Sequence, residues 1–138
     1  MFELRPPEEL LPRLDLDEVD RILIIDGPNL VPGKVEADIL SEMELQRVPN
    51  SSYKSIFAWF TEPDERHAES IVDQAQRILS PGGKFWLIVP KKNSVEHHKA
   101  KGILRDQVLP RALQHGLTQK KTLGIGPHYF AIQTHKTG

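Results

Sequence analysis

The sequence predicts a three-layer α/β domain, a mainly parallel sheet between helices that ends in an antiparallel hairpin. Three observations carry this. Residues 71–90 read as an apolar-striped helix, a Pro81-Gly82-Gly83 stop and an apolar strand, the grammar of a crossover unit. The apolar runs at 22–26, 56–60 and 85–89 are short and rich in β-branched or aromatic residues, as strands buried on both faces are, and they are expected side by side and parallel. Residues 117–123 and 128–134 flank Gly124-Ile125-Gly126-Pro127, a hairpin connection.

The elements follow in order. Pro6-Pro7-Glu8-Glu9-Leu10-Leu11-Pro12 is a Pro-punctuated arm, with Leu10, Leu11 and Leu14 packing a short helical turn; acidic residues at 15–20 lead into the first strand. Ile22, Leu23, Ile24 and Ile25, bounded by Arg21 and by Asp26-Gly27-Pro28, predict a fully buried strand. Residues 35–45 stay open: Val35, Ala37 and Ile39 alternate as in a strand, Val35, Ile39 and Met43 fall at helical spacing, and the Pro32-Gly33 turn favours the strand. After the loop at 48–52, residues 53–60 predict a central strand. Thr61-Glu62-Pro63-Asp64 caps a helix whose stripe is Ala68, Ile71, Val72, Ala75, Ile78 and Leu79. A basic helical segment at 94–115 is expected to be kinked or split by Pro110, which has no N–H to donate, and to end at Gly116.

At 138 residues the chain suffices for one domain (1–138, with the arm 1–20 packed on it) burying roughly two-thirds of its unfolded surface. The absence of Cys excludes disulfides, zinc–thiolate sites and thiol nucleophiles. No apolar run approaches the ~18 residues of a membrane span, and the N-terminus lacks the pattern of a signal peptide, so a soluble cytoplasmic protein is expected. Charge is divided unevenly: residues 1–73 carry 17 acidic and 7 basic side chains, residues 74–138 only 2 acidic and 11 basic. Either the halves attract each other, or the basic half faces a phosphate-bearing or acidic partner.

From residue 53 onward the order of features resembles the back half of a Rossmann-like class I methyltransferase. A strand, a helix ending in Leu79-Ser80-Pro81-Gly82-Gly83, a strand, a helix ending near Gly116-Leu117 and a closing hairpin match it. Trp59-Phe60 and Trp86-Leu87-Ile88-Val89-Pro90-Lys91 are similar to a small bacterial family of unknown function built as a shortened, reduced methyltransferase-like domain. The resemblance implies the fold and no particular reaction. The front half departs from it. Where a methyltransferase has a glycine-rich loop for S-adenosylmethionine, this chain has Asp26-Gly27-Pro28-Asn29-Leu30, and Pro28 offers no N–H. Only Asp38 or Glu42 could meet a ribose, and neither sits in a clear strand-end context. The interval from Asp26 to Ile56 is also too short for two full β-α units, since one βαβ unit already takes ~30 residues. No cofactor is therefore expected, with S-adenosylmethionine disfavoured.

Asp26, Gly27 and Asn29, just past a parallel strand, with Thr61 past its neighbour, are the candidate ligand pocket; the competing reading is a turn that satisfies its own backbone. Lys91, Lys92, Lys99, Lys101, Arg105, Lys120 and Lys121 could form one basic face for nucleic acid or an acidic protein. His97 and His98 point about 100° apart on a helix, and His67, His115, His128 and His135 are isolated, so no metal is expected. Neither a Gly-x-Ser-x-Gly turn nor a phosphate-binding Gly-x-x-x-x-Gly-Lys-Ser/Thr loop is present, and no catalytic residue is assigned. The expectation is a non-catalytic binding or interaction module. The alternatives are an S-adenosylmethionine- or other small-ligand-binding methyltransferase-like protein, and a nucleic-acid accessory protein using the basic half.

Overall fold

A computed structural model describes residues 3–16 and 21–137. The acidic stretch at 17–20 that precedes the first predicted strand lies outside the described residues. Helix α1 (Pro7–Arg13) is followed by strands β1 (Arg21–Ile25) and β2 (Glu36–Leu40), a 3-10 helix (Glu42–Arg47) and β3 (Tyr53–Trp59). Then come α2 (Glu65–Ile78), β4 (Leu79–Pro90), α3 (Lys92–Glu96), α4 (Arg105–Gln114), β5 (Thr118–Gly124) and β6 (Tyr129–His135).

The strands form one sheet in the order β2-β1-β3-β4-β6-β5. β2, β1, β3 and β4 are mutually parallel, as predicted for the three apolar runs, and β6 pairs antiparallel with both β4 and β5. The ambiguous stretch at 35–45 resolves as strand β2 followed by the 3-10 helix.

The period-two alternation of a strand divides each apolar run between two faces. Leu23, Ile25, Ile56, Ala58, Phe85, Leu87 and Val89 pack on the buried stripe of α2 (Ala68, Ile71, Val72, Ala75 and Ile78) and on Val108, Leu109 and Ala112 of α4. Ile22, Ile24, Phe57, Trp59, Trp86 and Ile88 face the other way, onto Leu10, Leu14 and Leu16 of the N-terminal arm and onto Leu30 and Val31. Each large apolar side chain so buried contributes about 1.5–3 kcal/mol. The Asp64 carboxylate accepts from the N–H groups of Arg66 at 3.0 Å and His67 at 3.3 Å, capping α2 as its sequence implied.

Two expectations are corrected. Pro81-Gly82-Gly83 does not stop α2, which ends at Ile78, before the Pro-Gly-Gly is reached. Those residues lie inside β4 as a bulge: pairing with β3 passes from Tyr53↔Leu79 to Ser55↔Lys84, so two steps on one strand take five on the other. Gly82, at φ 79°, donates its N–H to the Lys136 carbonyl at 2.9 Å, and Lys136 donates back to Gly83 at 3.0 Å. The segment 94–115 is also not one helix broken at Pro110. The break falls between Glu96 and Arg105, and Pro110 sits inside α4. The connection there is pinned to the sheet: Ile103 donates its N–H to the Phe60 carbonyl at 3.1 Å, and a Cβ on Gly102 would lie 2.0 Å from that oxygen.

Candidate functional site

After β1 the chain moves outward to β2 and then returns to the other side of β1 to form β3, so the order reverses between β1 and β3. Ligands of open α/β sheets collect outside the carboxyl ends of the strands at such a reversal. Asp26, Gly27 and Asn29 follow β1 and Thr61 follows β3, so the predicted pocket residues flank this point.

Asp26 is left-handed at φ 58°, a conformation Asp tolerates better than most residues. Its N–H donates to the Leu40 carbonyl at 3.0 Å, and its Oδ1 accepts from the N–H of Glu42 at 3.2 Å. Its Oδ2 meets Nε2 of His67, from the first turn of α2, at 2.8 Å, with both side chains mostly shielded (19% and 28% exposed). Glu42 in turn accepts from the hydroxyl of Ser70, one helical turn further along. The ends of β1 and β2 are therefore tied to α2 by two acid–helix contacts. Asn29 serves its own turn, accepting at Oδ1 from the N–H of Val31 at 2.9 Å. The open side of Gly27 is filled by Trp59: a Cβ there would lie 2.1 Å from the indole Cδ1, while the indole Nε1 donates to the Pro28 carbonyl at 3.0 Å. Thr61 is half-buried beneath Gly102, whose added Cβ would reach its Cα at 3.0 Å.

Trp59 and His67 were not singled out for this site from sequence, and Glu42 was weighed with Asp38 as a ribose carboxylate but set aside for want of a strand-end context. That judgement is corrected for Glu42, which begins the 3-10 helix just after β2 and so does occupy a strand-end position. Asp38 does not. It lies within β2, accepting from the Tyr53 hydroxyl at 2.5 Å and facing Arg21 at 3.7 Å.

A depression of about 440 Å³ opens beyond the carboxyl end of β2, with Leu40, Met43 and Val48 as apolar walls and Glu44 and Arg47 as polar ones. Met43 is 80% exposed. Hydrogen bonds from the Ser41 N–H at 2.9 Å and hydroxyl at 3.0 Å hold the Glu44 carboxyl below the usual range, so it is ionised at neutral pH.

The basic set is divided by the fold. Lys91 stands at the N-cap of α3, and Lys92, Lys99, Lys101 and Arg105 lie on α3, α4 and the connection between them, beyond the carboxyl end of β4. Lys120 and Lys121 lie on β5, where Lys121 is two strands across from Trp86, towards the other end of the sheet. Lys121 sits 3.0 Å from Asp15 and 5.9 Å above the Trp86 ring. Ion pairs of Lys84 and Lys121 with Asp15, and of Arg111 with Glu69 and Asp73, join the basic half to the acidic half. His115 pairs with Asp73 at 2.6 Å and His128 with Ser94 at 3.0 Å. Among the described residues no group of three or more His, Asp or Glu is placed to hold a metal ion, and no helix is long and apolar enough to cross a membrane.

Solved structures share this architecture. An S-adenosylmethionine-dependent methyltransferase from Methanosarcina mazei superposes with a TM-score of 0.66 at 13% identity, covering 99% of both chains. One from Aquifex aeolicus gives 0.62 at 14% identity, over 96% of this chain and 90% of that one. A geranyl diphosphate methyltransferase in complex with S-adenosylmethionine gives 0.63 at 9% identity, over 95% and 84%. The fold is Rossmann-like and methyltransferase-like. No protein-family model matches the chain, and no curated protein does. The expectation of no cofactor is corrected by this likeness, because its neighbours are S-adenosylmethionine-dependent enzymes and one of them holds the cofactor.

Proposed function

We propose that this chain is a methyltransferase-like protein that binds S-adenosylmethionine or a closely related adenosyl ligand along the carboxyl edge of β2, β1 and β3. The observation that carries the reading is the depression beyond β2. At about 440 Å³ it falls within the roughly 300–1,000 Å³ of small-molecule sites, and it joins apolar walls to an ionised carboxylate. That donor set suits a flat base against Leu40, Met43 and Val48, with ribose hydroxyls donating to Glu44. Asp26, Asn29 and Thr61 would meet the methionyl end with side chains, since the face of Gly27 is closed by Trp59. S-adenosylmethionine, when bound, supplies an electrophilic methyl group.

The same geometry supports kinship with a shortened methyltransferase-like family. The β1–β2 crossover at 26–35 contains no helix, and only a 3-10 helix separates β2 from β3. It also gives the interaction-module expectation second place, because the sheet edge offers a pocket of ligand size.

The test is calorimetric titration and thermal melting with S-adenosylmethionine and its demethylated product. A ligand at a hundredfold excess over its Kd should stabilise the fold by about 2.7 kcal/mol. Met43→Asp, at an exposed position, should abolish the shift without altering the unliganded midpoint. The absence of a saturable response to both compounds would sink the reading.

A further inference from the structure

Five cations lie within fifteen residues at the carboxyl end of β4: Lys91, Lys92, Lys99, Lys101 and Arg105. Elsewhere Arg5, Arg13, Arg21, Lys84, Arg111 and Lys121 have carboxylate partners, whereas Lys34, Arg47, Lys54, Arg66 and Lys120, which also pair with none among the described residues, are spread along the chain, so what marks the five is their grouping. Among the described residues no carboxylate pairs with any of the five. Two of them, Lys92 and Arg105, line one depression of about 200 Å³ whose other walls are Pro90, Leu104, Phe130 and Asp106.

From this we infer that the depression between α3 and α4 is a subsite for the anionic group of a small amphipathic molecule, a phosphate or carboxylate borne on an apolar body. Resting on the proposed adenosyl site, it would receive the methyl acceptor. The chemistry is read from the walls: two cations that pair with no carboxylate among the described residues meet Phe130, Pro90 and Leu104, so charge and apolar surface are offered together. Its volume is on the order of seven liquid waters, room for a headgroup rather than a whole ligand. Asp106 opposes an anion, and Lys92 and Arg105 outweigh it by one charge. Leu104, at the N-cap of α4, brings no side-chain acceptor of its own.

Position ties the subsite to the candidate pocket. Leu104 and Arg105 directly follow Ile103, whose N–H is bonded to Phe60, the neighbour of Thr61. Gly102, at φ 143° and against the Phe60 carbonyl, admits no other residue without displacing the connection. The depression is therefore held beside the end of β3 by backbone contacts.

The experiment is an NMR titration of the full chain, without adenosyl ligand, using phenyl phosphate, phenylacetate and the neutral analogue benzyl alcohol. Saturable shifts at residues 92, 104–106 and 130 are expected with the two anions and not with the alcohol, and the tighter anion names the headgroup. Arg105→Ala and Lys92→Ala should each weaken binding about tenfold, as for loss of a charge-assisted hydrogen bond, while Lys54→Ala should not. Equal affinity in all variants, or no binding of either anion, overturns the inference. So does binding of a single-stranded oligonucleotide that Lys99→Ala and Lys101→Ala weaken as much as Arg105→Ala does, since that describes an extended polyanion surface. S-adenosylmethionine titrated into the same variants separates the two readings. A protein that binds phenyl phosphate and no adenosyl ligand keeps the anion subsite and loses the methyl donor.

Discussion

Trp59 and Gly27 interlock across the carboxyl ends of β3 and β1: the indole lies where a Gly27 side chain would begin, with 2.1 Å separating its Cδ1 from an added Cβ. The ring is also buried and hydrogen-bonded to Pro28, so it has no easy retreat. Gly27→Ala should therefore cost at least the 1–3 kcal/mol typical of overpacking. Trp59→Leu, which opens the same space, should partly relieve it. The double variant should be more stable than the sum of the single losses implies, with a coupling of at least about 1 kcal/mol in denaturant unfolding. Strict additivity would mean that the two residues do not compete for one space.

The two tryptophans differ in a way that composition hides. Trp59 donates its N–H to Pro28 at 3.0 Å, whereas the N–H of Trp86, fully buried and stacked on Phe57, has no hydrogen-bond partner among the described residues. Trp59→Phe loses a hydrogen bond. Trp86→Phe removes a buried donor whose burial costs about 1–3 kcal/mol, offsetting much of its lost packing. Trp59→Phe should be the more damaging by about 1–2 kcal/mol, and the reverse order in urea midpoints would contradict the assignment.

How much of this was legible in the sequence depended on the range of the interactions. β1, β3 and the stripe of α2 were readable because Ile22 to Ile25, the aromatic run ending at Trp59 and the spacing of Ala68, Ile71, Val72, Ala75 and Ile78 are local patterns. Asp64 was readable for the same reason. Pro81-Gly82-Gly83 misled because its partner is Lys136, far along the chain, and a long-range pairing turned a helix stop into a bulge in a strand. Pro110 misled in the opposite way: the break it suggested was taken instead by Gly102, which must pass against the Phe60 carbonyl. Around the candidate site, Asp26, Gly27, Asn29 and Thr61 were named from strand ends, and they do follow the carboxyl ends of β1 and β3. His67 carried no local mark beyond being a histidine near a helix start, and its meeting with Asp26 exists only once α2 has docked.

Acid stability should depend on Asp73. Hydrogen bonds from Arg111 at 2.9 and 2.7 Å, with His115 beside it, hold its carboxyl below the usual range against the opposing effect of burial. A depressed folded-state pKa means that the unfolded chain takes up the proton first as pH falls. The stabilisation is present above the unfolded value of about 3.9 and is lost as pH drops through the lower folded value. Asp73→Asn should be less stable at neutral pH, with a shallower fall in melting midpoint below about pH 4. Asp15 keeps that fall from vanishing, since Gln133, Lys121 and Lys84 together outweigh its desolvation and lower it too. Parallel pH profiles for variant and parent would rule Asp73 out as a source of the acid limb.

At the alkaline end the group to watch is Tyr53. Burial, then its hydrogen bond to Asp38 and the charge of that carboxylate, push its hydroxyl up to about 12 against the opposing effect of Arg21. Here the sign reverses. The unfolded phenol ionises near 10 and the folded one later, so the stabilisation is complete below about pH 10 and is lost as pH rises towards the folded value. Ultraviolet difference titration of the parent against Tyr53→Phe isolates this phenol from Tyr129, and its transition should lie well above that of free tyrosine. Asp38→Asn removes the neighbouring charge while keeping an acceptor, so it should move the transition back towards 10 without abolishing the effect of burial. A Tyr53 transition already at the free-tyrosine value in the parent would mean that the contact across β2, β1 and β3 does not hold in solution.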